Sequence, residues 1–289
     1  MFGIFTKQVA ITIKPAIMGK FNPNSSYTGT VGNISIYNVR GLDKPVVRTK
    51  GGPTKRQIKT KPSFAITRRN NSEFGGRAKI TRQVMDVLRP LKYLGDYNIA
   101  GPLNSLFKPI QVLDTENELG QRAIELSKNP GLLQGFNLNR RTPLSTIIAN
   151  PLEYTLSKET LSGSITIPAL MPGVNFFMPG NYSFYKFIAV FGIIQDMFSG
   201  QRGYVDKAGK EIHWSFCWFR ETDWLSVSPQ SPSFTILGSL ESQRKEFKEI
   251  ISMDAYSCLL GIGIAFGNNS NGHIEMVKYV GGAGVLAME

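Results

Sequence analysis

Apolar positions alternate with polar ones at the start of this chain, recur with a helical period through its middle, and alternate again in its second half. Across Thr28–Tyr37 the residues Val31, Ile34 and Ile36 approach a period of two, which predicts a strand punctuated by Gly29 and Gly32. A shorter strand is expected over Gln8–Ile13. The turn-rich run Asn38-Val-Arg-Gly-Leu-Asp43 leads to Val46-Val-Arg48, which supplies a return strand, so a small hairpin opens the chain. Between Thr49 and Pro62 the pattern lapses: two prolines, two glycines and a string of basic residues surround a single apolar side chain, Ile58. Such a stretch has nothing to bury and reads as an extended linker or a partner-binding tract.

Helical spacing begins after Pro62. Ser63 can cap a first turn holding Phe64, Thr67 and Arg68, and a second stretch runs from Ser72 through Phe74, Ala78, Thr81, Met85 and Leu88 to a stop at Pro90. Each glycine of the Gly75-Gly76 pair weakens this helix by about 1 kcal/mol relative to Ala, so another backbone or subunit is expected to pack closely there. Asp114-Thr-Glu-Asn-Glu118 places acids where the dipole of a further helix, reaching to about Lys128, would favour them. That acidic turn is also a candidate dock for the basic start of the chain.

After Pro130 the texture turns to strands: Leu132–Leu138, Leu152–Leu156, Gly163–Ile167, Tyr182–Gln195, Ile212–Phe219, Ser233–Leu240, Ser257–Phe266 and Ile274–Val280. Turns such as Met178-Pro-Gly-Asn181 separate them, with no crossover helices between. The expected fold class is therefore α+β, mostly β. An antiparallel β-sandwich or jelly-roll-like body (131–289) follows a basic extended arm with a hairpin (1–62) and a helical segment (63–130) of two or three helices.

Charge sharpens this division. Residues 1–100 carry 18 Lys+Arg against 4 Asp+Glu, while residues 101–289 carry 15 against 17, so the +12 of the whole chain originates at its start. The 42% hydrophobic and 11% aromatic fractions suit a globular body. Lys7 and Lys14 interrupt the apolar opening before a signal-peptide core forms, and the longest apolar run, Phe184–Ile194, contains Lys186 and is shorter than the ~20 residues a spanning helix needs. The expectation is a protein with no membrane span, cytoplasmic as synthesised or released as part of a particle.

No pattern names a reaction, and no catalytic residue, metal ligand set or cofactor is predicted. His213 and His273 lack metal-ligand spacing. Cys217 and Cys258 sit in apolar runs and read as buried free thiols. Gly75-Gly76-Arg77-Ala78-Lys79 could offer backbone amides to a phosphate but lacks the P-loop spacing. Glu211, Glu221 and Asp223 flank Trp214, Trp218 and Trp224, an arrangement open to sugar binding; the simpler reading has Trp214, Phe216 and Trp218 filling one face of the core.

Three segments resemble a widespread family of uncharacterised proteins from Bacteroidetes genomes: Gly29-Thr-Val-Gly-Asn-Ile-Ser-Ile-Tyr37, Arg48-Thr-Lys-Gly-Gly52, and Pro62-Ser-Phe-Ala-Ile-Thr-Arg-Arg-Asn-Asn-Ser-Glu-Phe-Gly-Gly76. The likeness covers about residues 28–90. It implies a soluble protein without a signal segment and carries no catalytic residues across.

The functional expectation is a non-enzymatic structural subunit of a large homomeric assembly, a filament, tube or phage-like particle. Its arm would pair with a neighbouring copy through Val31, Ile34, Ile36 and Tyr37, with Phe64, Phe74, Gly75 and Gly76 at helical contacts. The alternative is a nucleic-acid or polyanion binder using Lys50, Lys55, Arg56, Lys59, Lys61, Arg68, Arg69, Arg77 and Lys79, since Arg40–Lys92 holds 15 Lys+Arg against 3 acids. A carbohydrate-binding sandwich is the third reading.

Overall fold

The computed structural model describes residues 28–39, 44–49, 51–212 and 216–289, together with the backbone of 18–20. The strand expected over Gln8–Ile13 lies outside them. The chain divides into two compact units, residues 1–65 and 66–289.

In the first unit, β1 (Met18–Lys20), β2 (Gly29–Val31), β3 (Ile34–Tyr37) and β4 (Val46–Thr49) form an antiparallel sheet in the order β1-β4-β3-β2. The stretch Thr28–Tyr37 is thus two strands rather than one. Gly32, at φ +54°, opens a two-residue turn with Asn33 that sets Val31 opposite Ile34. Val46–Arg48 does return along β3, with Val47 opposite Ile36. The tract expected to be extended contains a helix, α1 (Lys55–Thr60). A capping box decides the matter: Thr54 Oγ1 accepts from Gln57 N at 3.2 Å and Gln57 Oε1 accepts from Thr54 N at 2.8 Å.

The second unit is built on two long strands, β7 (Phe184–Gln195) and β13 (Tyr256–Ser270), paired antiparallel over twelve residues from Phe184 opposite Gly267 to Gln195 opposite Tyr256. β10 (Phe216–Glu221) and β11 (Leu225–Ser226) flank β7; β14 (His273–Met276) and β15 (Gly282–Met288) flank β13. Both faces of this sheet are covered. On one lie α2 (Ala65–Val87) and the 3-10 turn Arg89–Leu94, whose Ile80, Val84, Val87, Leu88 and Leu91 form a stripe against Ile188, Val190 and Leu259. Gly192 permits the approach, because a Cβ there would sit 2.5 Å from a Val87 methyl. On the other face a second sheet, β12 (Phe234–Ser239), β6 (Ser162–Ile167) and β5 (Glu153–Ser157), contributes Ile165, Ile167 and Ile236 against Phe187, Phe191, Leu260 and Ile262. The result is mixed α and β with antiparallel sheets, 34% strand against 27% helix, as the mostly-β pattern implied.

Several expected elements take other forms. Leu132–Leu138 is a series of turns with Gly131 and Gly135 at φ +82° and +78°, although Gly135 N and Leu138 N still donate to Val285 O and Ala283 O of β15. No helix starts at Asp114. The helix precedes it as α3 (Ala100–Leu113), and Asp114 terminates it by accepting from the backbone of Glu116, Asn117 and Ala123 at 3.0, 3.1 and 2.6 Å. These bonds hold the Asp114 carboxyl below its usual range although burial pushes it up. The β8–β9 hairpin (Phe198–Gly200, Gly203–Val205), the short α4 (Leu144–Ile147), α5 (Lys248–Met253) and β15 had no counterpart among the expected elements.

Candidate functional site

Among the described residues, the four-stranded sheet of the first unit is held by turns, ladder bonds and a cross-strand hydrogen bond between the Thr30 and Ser35 hydroxyls at 3.1 Å. None of the described residues among 1–65 is buried. Val31 and Ile34, directly opposite one another, are 61% and 43% exposed, and Tyr37 is 38% exposed. Ile36 is half-buried between Gly29 and Val47 on the neighbouring strands. Among the described residues β2 has β3 as its one strand neighbour, so its outer backbone groups face a free edge. A shallow concavity of about 570 Å³ runs along β2 and β3, lined by Thr28, Thr30, Ser35 and Ile36 among others.

Electrostatically the same unit is one-sided. Residues 1–65 contain 11 Lys+Arg and a single acid, Asp43, a net charge of +10. Lys55, Arg56 and Lys59 are exposed on α1, and Lys61 follows it, also exposed. Phe64, in the 3-10 turn Pro62–Phe64, is half-buried. Lys50 lies outside the described residues.

The candidates carried by α2 separate into outward and inward groups. Arg69 pairs with Glu118 at 3.6 Å, both largely exposed, so the acidic turn is met from within this chain. Phe74 is 57% exposed, and Gly75 has open space where a Cβ would stand. Gly76 is the opposite case: a Cβ there would lie 2.6 Å from the ring of Tyr204, so the close packing expected of the glycine pair occurs at one member and inside one chain. Arg77 is buried and its guanidinium donates to Gln111 Oε1 and, at 3.3 Å, to Asn104 Oδ1. Lys79 Nζ donates to Tyr204 O at 2.6 Å. Arg68 is half-buried. Arg77 and Lys79 thus tie α2 to α3 and to β9.

They belong to a buried polar clamp that the sequence reading missed. Glu73, 4% exposed, accepts from Arg122 Nε at 2.6 Å and Nη2 at 2.8 Å, and from Gly120 N at 3.0 Å. Tyr204 Oη donates to Arg122 O and accepts from Gln111 Nε2, each at 2.8 Å. Burial and the nearby Glu73 charge push the Tyr204 hydroxyl up to about 12, so it stays protonated as a donor. The Glu73 carboxylate, the Tyr204 hydroxyl and the Gln111 amide each meet partners of fixed geometry, which is the organisation of a structural fastening. Its only sequence signal was Glu73 itself, a lone acid among basic residues on the helix face that carries the apolar stripe.

The aromatic and sulfur candidates are likewise drawn into packing. Phe216 and Trp218 lie against the core between the sheets, and a Cβ at Gly238 would meet the Trp218 ring at 2.6 Å. Trp224 packs over Gly267 with Lys186 Nζ 5.1 Å from its ring, and Lys186 is paired with Glu221. Trp214 and His213 lie outside the described residues, and His273 is exposed on β14. Cys258 is buried, and burial pushes its thiol up to about 12; Cys217 is exposed, contrary to expectation. The exposure follows from β10 lying at the edge of its sheet. Cys217 shares a row with Gly192 and Leu259, whereas Cys258 alternates with Leu259 onto the opposite face, so the two thiols cannot meet. Among the described residues no three His, Cys, Asp or Glu side chains are grouped to hold a metal ion, and no helix is long and apolar enough to cross a membrane.

No family model, curated protein or solved structure matches the chain.

Proposed function

We propose that the protein is a self-assembling structural subunit whose N-terminal unit completes its fold against another copy of the chain. One observation carries the reading: a four-stranded sheet with a free edge and exposed Val31, Ile34 and Tyr37, in a unit where no described residue is buried. A small sheet needs an apolar face covered to be stable, and β2 offers the backbone edge through which a second chain could supply the cover. Val31 and Ile34 would lie at the contact, with Ile36 and Tyr37 continuing it. Phe64 of the same unit and, separately, Phe74 and Gly75 on α2 are further candidate contacts.

The charge of the unit supports a second reading, in which Lys55, Arg56, Lys59, Lys61, Arg68 and Arg69 neutralise a nucleic acid or another polyanion. Residues 1–65 carry 11 Lys+Arg against one acid, a net charge of +10 that favours an anionic partner.

Size-exclusion chromatography with light scattering, recording absorbance at 260 and 280 nm, separates the two. Assembly predicts a mass far above 32.0 kDa with a protein-like absorbance ratio, and a return towards the single-chain mass in Val31→Lys/Ile34→Lys. A wild-type chain that stays monomeric at tens of micromolar would refute assembly. A peak rich in 260 nm absorbance, lost on raising salt from ~50 to ~200 mM, would favour the polyanion reading, since several phosphate contacts weaken about 10³-fold over that range.

A further inference from the structure

A cleft lies on the opposite half of the sequence from the basic unit, between the 3-10 turn Glu241–Gln243 and α5. It is an open cleft of about 550 Å³, within the ~300–1,000 Å³ common for small-molecule sites. Phe247, fully buried just before α5, anchors this segment by setting its ring edge-on to Phe216, with the centroids 4.3 Å apart. The walls are largely carbon: the half-buried Ile251 and the alkyl stems of Lys245 and Lys248.

Charge within the cleft is unbalanced. Its single acid, Glu241, is already engaged, both carboxylate oxygens accepting from Arg244 Nε at 2.8 Å. Arg244 is pinned further by donating to Glu159 O. Lys245 and Lys248, three residues apart, make no ion pair with the described residues and are exposed at the rim. Ser242 and Ser252 add hydroxyls, of which Ser252 Oγ donates to Glu249 O at 2.8 Å. These two exposed ammonium groups beside the apolar Ile251 complement a ligand with one anionic end and one hydrocarbon body.

We infer that this cleft binds a small amphipathic anion, its carboxylate or sulfonate bridging Lys245 and Lys248 and its apolar body lying on Ile251. Neither end alone suffices: an inorganic anion leaves the carbon walls wet, and a neutral hydrocarbon leaves the two cations unpaired.

The test titrates the full chain with the fluorescent probe 8-anilinonaphthalene-1-sulfonate. The expected result is saturable, blue-shifted emission whose affinity falls at least tenfold in Lys245→Glu/Lys248→Glu and in Ile251→Glu. Decanoate should displace the probe, while decanol and inorganic phosphate at the same concentration should not. Saturable binding should persist in Val31→Lys/Ile34→Lys, which separates this site from the exposed N-terminal sheet. Absent binding, affinity within twofold of wild type in Lys245→Glu/Lys248→Glu, or equal displacement by decanol would each overturn the inference.

Discussion

Replacing Glu73 by Gln preserves the shape of the buried clamp and removes its charge. The carboxylate takes two hydrogen bonds from Arg122, at 2.6 and 2.8 Å, and one from Gly120 N at 3.0 Å. Gln offers a single acceptor oxygen and turns an NH₂ group towards the Arg122 guanidinium. Removing one partner of a buried pair costs about 3–5 kcal/mol. The Arg122 side chain is 19% exposed, so water recovers part of the loss, and the low end, about 3 kcal/mol, is expected for Glu73→Gln. Urea unfolding of the full chain at pH 7, followed by tryptophan fluorescence and far-UV circular dichroism, measures it. Glu118→Gln is the control: its pair with Arg69 is 53% and 78% exposed, and its loss should cost less than about 1 kcal/mol. Equal costs for the two variants, or a Glu73→Gln within about 0.5 kcal/mol of wild type, would refute the buried-clamp argument. Acid supplies a second check. Burial pushes the Glu73 carboxyl up, but the Arg122 and Gly120 hydrogen bonds and the Arg122 and Arg77 charges outweigh it, leaving the folded pKa below its ordinary 4.5. A lowered folded pKa means stability that is present above 4.5 and lost as pH falls through the folded value. The gap between wild type and Glu73→Gln should therefore narrow in acid, and a gap unchanged from pH 7 to 3 would contradict the assignment.

Two further predictions rest on packing. Gly76→Ala drives a methyl into the ring of Tyr204, whose hydroxyl is fixed by two hydrogen bonds; overpacking of about 1–3 kcal/mol should exceed the ~1 kcal/mol gained in helix propensity. Gly75→Ala, with open space at its Cβ, should instead be neutral or stabilising, and urea midpoints that rise equally in both variants would dismiss the close-approach account. Titration with Ellman's reagent at pH 8 should count one thiol in the folded chain and two in denaturant, with Cys217→Ser abolishing the first. Two thiols reacting in the folded protein would contradict the burial of Cys258.

The strand-rich half was legible because its turns are written in glycine, proline and asparagine and its apolar runs are long. β6, β7, β12 and β13 start and end within a few residues of the spans expected from pattern. What pattern could not show is why Phe184–Gln195 and Tyr256–Phe266 are apolar on both sides. Antiparallel strands commonly leave one face to solvent, and here α2 and the second sheet each claim a face. Failures occurred where a local side chain outranked periodicity. Asp114 looked like a helix start and instead folds the loop that carries Gly120 and Arg122 to Glu73. Gly131, just before Leu132–Leu138, and Gly135 within it adopt left-handed conformations that turn the segment away from strand geometry. The α2 candidates divided for a related reason: sequence places Arg77 and Lys79 among basic neighbours, but only tertiary structure supplies Gln111 and the Tyr204 carbonyl as their partners.

The described residues of the N-terminal unit show how a segment can be locally well specified with none of its side chains buried. The Gly32-Asn33 turn fixes the register of β2 on β3, and the Thr54–Gln57 capping box fixes the start of α1. Both devices choose a conformation without burying much surface. Ladder bonds contribute about 1 kcal/mol each net, a similar size to the backbone entropy of ordering each residue, so such a sheet is at best marginal without apolar cover. The exposed Val31 and Ile34 are the groups through which cover would act, and lysine at both positions would remove the apolar surface while leaving turn and register unchanged. That substitution therefore separates loss of assembly from loss of local fold. If partner contact orders the unit, wild type should gain amide-exchange protection in β2–β3 as protein concentration rises, whereas the double-lysine variant should not.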